Sequence, residues 1–315
     1  MKRLLLSLAV LAVSLRLSAQ TKLTFVPQWT PQAQFAGYYM ALEKGYFADE
    51  GLDVNIEHIG MNSTESILGK LTSGKAQIIG QQLLQSIISI SDGADIVNVM
   101  QLTQRSGLRL VSHSPVSKIE DIDGMKVGKW KSGYSEFCDM MEVYKGIKVD
   151  WVPFLNGINL YVYGAVDATL CYSYSELISL RLAIGDIPSD HILVFSDFGY
   201  TCPEDGLYVT SSYYRENKAT VDAFMRASKK GWEYVRDHRA EAVELSLRYC
   251  HEAHVVTNYA HQKMMLDEYL ALQVNPESGE ADYAQVTEPV FDEMCEALLS
   301  TGYITMKPKY EEVVR

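Results

Sequence analysis

The sequence has little positive charge, because 28 Lys and Arg residues stand against 40 Asp and Glu residues and give a formal net charge of −12. Such an acidic chain repels nucleic acid and anionic lipid unless it carries a local basic patch, and no dense run of Lys and Arg occurs. Beyond its N-terminus it also lacks any apolar run of about 20 residues. We therefore expect neither a nucleic-acid partner nor a membrane-spanning helix.

Motifs of common enzymes are also missing from the sequence. It contains no GxSxG elbow, no phosphate-binding P-loop and no HExxH zinc motif. None of the five cysteines forms a CxxC pair, and the adjacent Cys250 and His251 say little about metal binding. We interpret the cysteines as small buried apolar residues. These absences favour a protein that binds rather than catalyses, without a cofactor or a metal.

The N-terminus has the three parts of a secretory signal peptide. Residues 1–3 are basic, residues 4–13 form an apolar stretch too short to span a bilayer, and residues 17–19 offer a cleavage site. A buried N-terminal helix is the alternative interpretation. We expect cleavage near Ala19 and a mature protein that is free in the periplasm.

Predicted strands and helices alternate along the chain in two series. The first series has strands at 23–26, 52–59, 77–80 and 95–101 and helices at 33–44, 62–73 and 83–90, the second of these opened by a capping box at Asn62 and Glu65. The second series has strands at 108–112, 125–128, 149–153, 167–171, 192–195 and 206–209 and helices at 134–144, 158–163 and 174–184. The remaining chain is helical at 219–236, 240–249, 257–272 and 283–300.

This order predicts an α/β fold with two lobes, each built on a doubly wound mixed sheet and joined by a two-strand hinge. The first lobe is predicted to be discontinuous, with residues 20–106 and 207–315, and the second lobe to hold residues 107–206. The chain would cross between lobes near residues 106–110 and 205–208, which makes these segments the hinge candidates.

Short motifs along nearly the whole mature chain resemble those of type 2 periplasmic binding proteins. They are GYYMA at 37–41, KGYF at 44–47, EGLDV at 50–54, GKAQ at 74–77, LVS at 110–112, IEDIDGMKVG at 119–128, VDA at 166–168 and YSE at 174–176. The resemblance is to the branch that binds pyrimidine precursors of thiamine, with relatives for sulfonates, nitrate and riboflavin. It implies a solute-binding protein that captures a small molecule between its lobes and delivers it to an ATP-binding-cassette permease in the inner membrane.

The resemblance implies a thiamine pyrimidine precursor as the ligand, with riboflavin, a sulfonate or another aromatic compound as alternatives. We expect a monomer. A eukaryotic relative is an enzyme that makes this pyrimidine from its own His and from pyridoxal phosphate held by a Lys. Aligned on Gly74 and Lys75, those two positions are Gln81 and Gln85 here, and the Cys-rich motif of the enzyme is absent. Because Gln cannot form a Schiff base, the comparison favours a binder.

In the first lobe, polar and aromatic residues follow the predicted strands. Gln28 and Trp29 come after the first strand, where ligands of doubly wound sheets bind, and the indole offers a face for a heteroaromatic ring. Gln81 and Gln82 come after the third strand and could bind a ligand edge, with a polar loop as the alternative. Tyr38 is a further candidate, provided that its side of the helix reaches the cleft.

In the second lobe, Gly133 and Tyr134 open a predicted helix, whose free N–H groups could hold an anionic or carbonyl group. Tyr172, Tyr174 and Glu176 follow the strand predicted at 167–171. The resemblance implies a ligand-binding carboxylate at this place, and a carboxylate suits an aminopyrimidine because it accepts hydrogen bonds from the amine. A solvated helix-cap role is the alternative for this Glu.

Asp205, at the second crossing, is the last candidate for ligand binding, and a hinge or cap role is its alternative. The central hypothesis is that Trp29 and Glu176 belong to opposite lobes and face one shared gap. One of Tyr134, Tyr172 or Tyr174 would then complete a sandwich around the ligand ring.

Overall fold

The computed structural model describes residues 20–60, 63–103, 105–131, 135–155, 157–199, 202–275 and 278–315. The predicted signal peptide lies outside these ranges, as do Asn62, Gly133 and Tyr134. Within the described ranges, every helix is too short or too polar to cross a bilayer.

One sheet contains the first four strands and the last one. These are β1 (Thr21–Val26), β2 (Leu52–Ile56), β3 (Ile78–Gln81), β4 (Ile96–Gln101) and β10 (Gly206–Thr210). Across the sheet their order is β2-β1-β3-β10-β4. β1 runs parallel to β2 and β3, whereas β10 is antiparallel to β3 and β4. We call the part of the chain packed around this sheet the first lobe.

The other sheet contains the strands between them. These are β5 (Leu108–Ser112), β6 (Lys126–Trp130), β7 (Asp150–Phe154), β8 (Ala168–Tyr172) and β9 (Ile192–Val194), in the order β7-β6-β8-β5-β9. β6 is parallel to β7 and β8, and β5 is antiparallel to β8 and β9. We call the part built around this sheet the second lobe. The predicted α/β fold with two lobes and mixed sheets is thus confirmed, while the lobe limits near residues 106 and 206 remain a proposal.

Helices cover both sheets and form the C-terminal part of the chain. They are α1 (Ala36–Glu43), α2 (Tyr46–Asp49), α3 (Ile67–Thr72), α4 (Leu83–Ser91), α5 (Ser135–Lys145), α6 (Asn159–Val162), α7 (Glu176–Ile184), α8 (Ser211–Asp237), α9 (Arg239–Glu252), α10 (Tyr259–Leu272), α11 (Glu288–Ser300) and α12 (Tyr310–Val313).

The largest differences from the predicted helix starts are at α3 and α11, and α8 has an additional first part. α3 begins at Ile67, because the Ser66 hydroxyl accepts a hydrogen bond from the Gly69 N–H at 2.9 Å and caps the helix there. α8 begins at Ser211, capped by Thr210 Oγ1, but Asn217 interrupts it with non-helical φ and ψ of −128° and 30°, so the helix predicted at 219–236 corresponds to the part of α8 after this kink. α11 begins only at Glu288, with Pro289 in its first turn, where proline fits a helix.

Helices α1 and α8 approach each other closely at two glycines. A Cβ atom placed on Gly231 would lie 2.1 Å from the carbonyl oxygen of Gly37, and one placed on Gly37 would lie 2.2 Å from the Trp232 ring. The Trp232 side chain is fully buried beside them. The absence of two side chains is therefore what allows these helices to pack face to face in the core of the first lobe.

The C-terminal segment touches both lobes. Apolar side chains of α4 and α11 share one cluster with Met140 of α5. The Tyr303 hydroxyl donates to the carboxylate of Asp139 on α5, and Val314 pairs with Asn98 of β4. Because α4 and β4 belong to the first lobe and α5 to the second, this segment ties the two lobes together.

Candidate functional site

A carboxylate lies at the edge of the second lobe, where β6 and β8 end. Trp130 is the last residue of β6, Tyr172 the last of β8, and Glu176 the first of α7. The indole N–H of Trp130 donates to Glu176 Oε1 at 3.2 Å, and the backbone N–H of Tyr172 donates to Oε2 at 3.0 Å. Burial raises the pKa of the Glu176 carboxyl, and these two hydrogen bonds act against that rise.

Aromatic rings form a row that begins beside this carboxylate. The rings of Trp130 and Tyr172 are 5.3 Å apart at 32°, and those of Tyr172 and Tyr174 stack 5.0 Å apart at 21°. Tyr174 in turn meets Tyr269 of α10 edge-on at 5.6 Å. Tyr174 is buried against the first lobe, so it supports the Tyr172 ring rather than facing solvent. Trp130 and Tyr172 are partly exposed, so they are the members of this row that lie nearer to solvent.

Asp205 holds a buried hydrogen-bond network in the first lobe. Its Oδ1 accepts from Gln28 Nε2, and its Oδ2 accepts from Gln34 Nε2 and from the Tyr269 hydroxyl, both at 2.6 Å. Its backbone takes the left-handed conformation, with φ of +60°, which is uncommon for a residue with a side chain. Burial raises the pKa of Asp205 to about 6, although all three hydrogen bonds lower it. Asp205 therefore joins three segments of the first lobe.

Glu204, which the sequence analysis did not single out, joins the two segments that cross between lobes. Its Oε1 accepts from the Ser106 hydroxyl at 2.7 Å, and the Gly107 N–H lies 3.1 Å from both carboxylate oxygens. Its carbonyl oxygen also accepts from Thr103 Oγ1 at 2.5 Å. Burial raises the pKa of Glu204 to about 8. The sequence feature that could have identified Glu204 is the pair of adjacent acidic residues, Glu204 and Asp205, just before the buried strand β10.

The two lobes meet directly at Gln82 and Tyr172. Gln82 Nε2, just before α4, donates to the Tyr172 hydroxyl at 3.0 Å. A cavity beside this contact is lined from both lobes and both crossings, by Gln82, Leu84, Ser106, Leu108, Phe137, Tyr172, Cys202 and Glu204. A second cavity lies within the first lobe and is lined by Phe25, Pro27, Phe35, Tyr38, Gly80, Asp205, Leu207 and Tyr269.

Of the candidates predicted in the first lobe, Gln28 contacts Asp205 and Gln82 contacts the second lobe. Gln81 ends β3, where it pairs with Gly206 of β10. Tyr38, a candidate only if its side of the helix reached the cleft, is buried in the core, with its ring 4.5 Å from that of Phe25. Its side of α1 must cover the sheet, which leaves this side chain only the inner cavity to line.

Trp29, the predicted partner of Glu176, lies on the surface of the first lobe and is 46% exposed. Its carbonyl oxygen accepts a hydrogen bond from His58 Nδ1 at 2.6 Å. The indole that contacts Glu176 is that of Trp130, which the sequence analysis passed over. Its position at the end of a strand, like that of Trp29, is the feature that could have identified Trp130 from the sequence.

The family model that matches this sequence is described as NMT1/THI5 like and covers residues 32–242. The chain belongs to this family. The riboflavin-binding protein RibY of Chloroflexus aurantiacus is 25% identical over 272 residues, which are 81% of this chain and 73% of RibY. A 4-amino-5-hydroxymethyl-2-methylpyrimidine phosphate synthase of Aspergillus parasiticus is 25% identical over 240 residues, which are 71% of this chain and 69% of the synthase.

The relatives of this chain thus include a protein named for binding and one named for synthesis. Among solved structures, the periplasmic aliphatic sulphonate binding protein SsuA of Escherichia coli superposes with a TM-score of 0.68 at 13% identity, covering 93% of this chain and 92% of SsuA. This likeness confirms the periplasmic binding protein fold that the sequence motifs implied. The three names differ in their ligands, so the ligand has to be argued from the site.

Proposed function

We propose that the protein is an exported solute-binding protein that captures a small heteroaromatic molecule between its lobes and delivers it to an ATP-binding-cassette permease. The proposed ligand is a pyrimidine precursor of thiamine. The observation that carries this proposal is the Glu176 carboxylate held beside the Trp130 and Tyr172 rings. A carboxylate can accept from an exocyclic amine and pair with a protonated ring nitrogen, while the rings stack on the heterocycle.

The carboxyl groups around the cleft favour a pyrimidine over a sulfonate. Glu176 lies in the second lobe, and Glu204 and Asp205 lie at the crossing between lobes. An anionic ligand would meet ionised Glu176 and Asp205 as like charges in a partly dehydrated space, which is unfavourable, whereas Glu204, with a pKa of about 8, is neutral at pH 7. An amine or a protonated ring nitrogen would instead find acceptors.

We also propose that the protein has no synthase activity. The resemblance puts the Lys and His of the synthase at Gln81 and Gln85, and an amide cannot form a Schiff base with pyridoxal phosphate. The backbone of Gln81 pairs with Gly206 in the first sheet, and the Gln85 carbonyl accepts from the Ser89 hydroxyl within α4. Both positions lie in regular secondary structure of the first lobe, Gln81 at the end of β3 and Gln85 within α4.

Binding can be tested with three ligands that represent the family alternatives. Isothermal titration and thermal melting would be run with 4-amino-5-hydroxymethyl-2-methylpyrimidine, riboflavin and ethanesulfonate. We expect the pyrimidine to bind and to raise the melting temperature, because a ligand of the folded state stabilises it. Mass spectrometry of small molecules that co-purify with the protein gives an independent answer. The proposal is wrong if no compound raises the melting temperature and none co-purifies.

The two indoles at the strand ends are predicted to contribute stacking. We expect Trp130→Ala to weaken pyrimidine binding at least tenfold, about 1.4 kcal/mol, because both a ring face and the N–H donor to Glu176 are lost. Trp29→Ala should have a similar effect if that exposed indole closes over the ligand from the first lobe. Titration calorimetry measures both, and circular dichroism checks folding. A variant with unchanged affinity removes its indole from the site.

Glu176 is predicted to select amino-bearing ligands. Glu176→Gln should weaken binding of the aminopyrimidine far more than binding of riboflavin or ethanesulfonate, because only the carboxylate can accept from the amine with both oxygens. In this variant the Gln oxygen accepts from only one of the two donors, the Trp130 indole N–H or the Tyr172 backbone N–H, and the other donor meets the amide NH2. Circular dichroism therefore has to show that the variant is folded. Equal losses for all three compounds would point to a different polar anchor.

A further inference from the structure

We propose that Asp205 is a positioning residue that turns the side-chain amide of Gln28 so that its oxygen, Oε1, faces the ligand. The first lobe would then present an acceptor to the cleft, and the ligand would have to bring an N–H or O–H donor to that edge. The ligand half of this proposal rests on the proposed function. The orientation of the amide does not, because it follows from contacts within the first lobe.

The hydrogen bond between Gln28 and Asp205 has a defined direction. Gln28 Nε2 donates to Asp205 Oδ1. An ionised carboxylate only accepts hydrogen bonds, so the amide has to turn its nitrogen toward Asp205. The amide oxygen is then left on the other side of a partly exposed residue at the end of β1. That strand end is where ligands of this fold bind.

The other hydrogen bonds around Asp205 also have fixed donors and acceptors. Gln34 Oε1 accepts from Gln32 Nε2, which fixes Gln34 Nε2 as the atom that donates to Asp205 Oδ2 at 2.6 Å. The Tyr269 hydroxyl donates to the same oxygen. Asp205 is only 5% exposed, so water competes little for these positions. Turning the Gln28 amide over would place its oxygen against a buried carboxylate, which is repulsive.

The acceptor that Gln28 would present matches the acceptors that the second lobe presents. Glu176 also presents carboxylate oxygens, so the two lobes would offer acceptors on two edges of the cleft. An aminopyrimidine carries donors on its exocyclic amine and, when protonated, on its ring. A ligand with only acceptors on these edges would leave both lobes unsatisfied, which costs more than a missing contact.

Protonation of Asp205 should release the Gln28 amide. The titratable groups that face Asp205 are Glu204, Tyr38 and Tyr269. Burial raises the pKa of both tyrosines well above 10, so they stay neutral, and it raises the pKa of Asp205 itself to about 6. A protonated Asp205 can donate to Gln28 Oε1, and the amide can then take the opposite orientation.

The orientation can be tested without a ligand by nuclear magnetic resonance of the Gln28 side-chain amide. The signal in 15N-labelled protein would be assigned with the Gln28→Met variant. We expect it to move between pH 8 and pH 5 with a midpoint near 6, and we expect Asp205→Asn to remove this titration. Glu204→Gln is the matched control and should keep the midpoint near 6. A Gln28 signal that does not move over this range overturns the proposal, as does the same titration in Asp205→Asn.

The wild-type titration stands by itself, so a failure of Asp205→Asn to fold leaves the test intact. The ligand half is tested with 4-amino-5-hydroxymethyl-2-methylpyrimidine and its 4-oxo analogue, which presents an acceptor where the amine presents a donor. At pH 8 we expect at least tenfold preference for the amine, reduced at least threefold in Asp205→Asn. An unchanged preference in the variant overturns the selectivity role. If neither compound binds, the proposed pyrimidine ligand is wrong, and the amide titration still decides the role of Asp205.

Discussion

Replacing Glu204 by Gln should remove most of the pH dependence of the unfolding free energy between pH 6.5 and pH 8. Glu204 is 2% exposed and has a pKa of about 8 in the folded protein, because burial penalises its charged form. Its ordinary value of 4.5 applies to the unfolded chain. In this window the folded state holds a proton on Glu204 that the unfolded state has lost.

This difference in bound protons decides whether the unfolding free energy rises or falls with pH. Stability from Glu204 is fully present below pH 4.5, falls as the pH rises, and is lost as the pH passes 8. The expected loss between pH 6.5 and pH 8 is about 2 kcal/mol. This direction is opposite to that of a carboxylate held in a salt bridge, whose contribution grows as the pH rises.

The lower limit of the window is set by His58 and Asp205. Burial lowers the pKa of His58 to about 4 from its ordinary 6.5, so that stability rises with pH up to about 6.5. The raised pKa of Asp205, about 6, acts in the opposite direction over much of the same range. Above pH 6.5 the Asp205 effect is nearly complete, and the part of the His58 effect that remains raises stability with pH, so it cannot produce the fall expected from Glu204.

Urea unfolding at several pH values between 6.5 and 8 measures the effect. The wild type should lose stability across the series, and Glu204→Gln should remain nearly constant. Glu241→Gln is a suitable control, because Glu241 is exposed, pairs with Lys44 and has a lowered pKa that lies below the window. Parallel slopes for the wild type and Glu204→Gln would mean that Glu204 is already ionised in the folded protein.

Gly231→Ala should lower the unfolding free energy by about 3 kcal/mol. The added Cβ would lie 2.1 Å from the carbonyl oxygen of Gly37 and 3.0 Å from the backbone nitrogen of Ala41. Backbone atoms of a packed helix cannot move aside as a flexible side chain can. Because Ala is intrinsically better than Gly in a helix by about 1 kcal/mol, the loss has to come from the contact between α1 and α8.

The control for this variant is Glu233→Ala, an exposed position two residues further along α8. It should change the unfolding free energy by less than about 0.5 kcal/mol. Urea unfolding followed by circular dichroism measures both variants. A Gly231→Ala protein as stable as the wild type would show that α1 and α8 can separate without loss, contrary to their close packing.

Most strands were predictable because their apolar residues are consecutive or alternate over a short stretch. β5 (Leu108–Ser112) was predicted with its observed limits, and β10 within one residue. Helix starts were less predictable, because they depend on single capping contacts. The Ser66 hydroxyl, not the Asn62 and Glu65 pair, marks the start of α3 among the described residues.

By itself, the sequence determined the family, the order of strands and helices, and the place of Tyr172 and Glu176 at the end of a strand of the second lobe. These properties depend on neighbours along the chain and on motifs within a few residues. Only the tertiary structure decided which indole meets Glu176 and how deeply Glu204 and Asp205 are buried. Those outcomes depend on contacts such as Asp205 with Gln28, which are 177 residues apart and have no local pattern. Glu204 and Asp205 are therefore brought to these partners because the chain returns to the first sheet just after them, as strand β10.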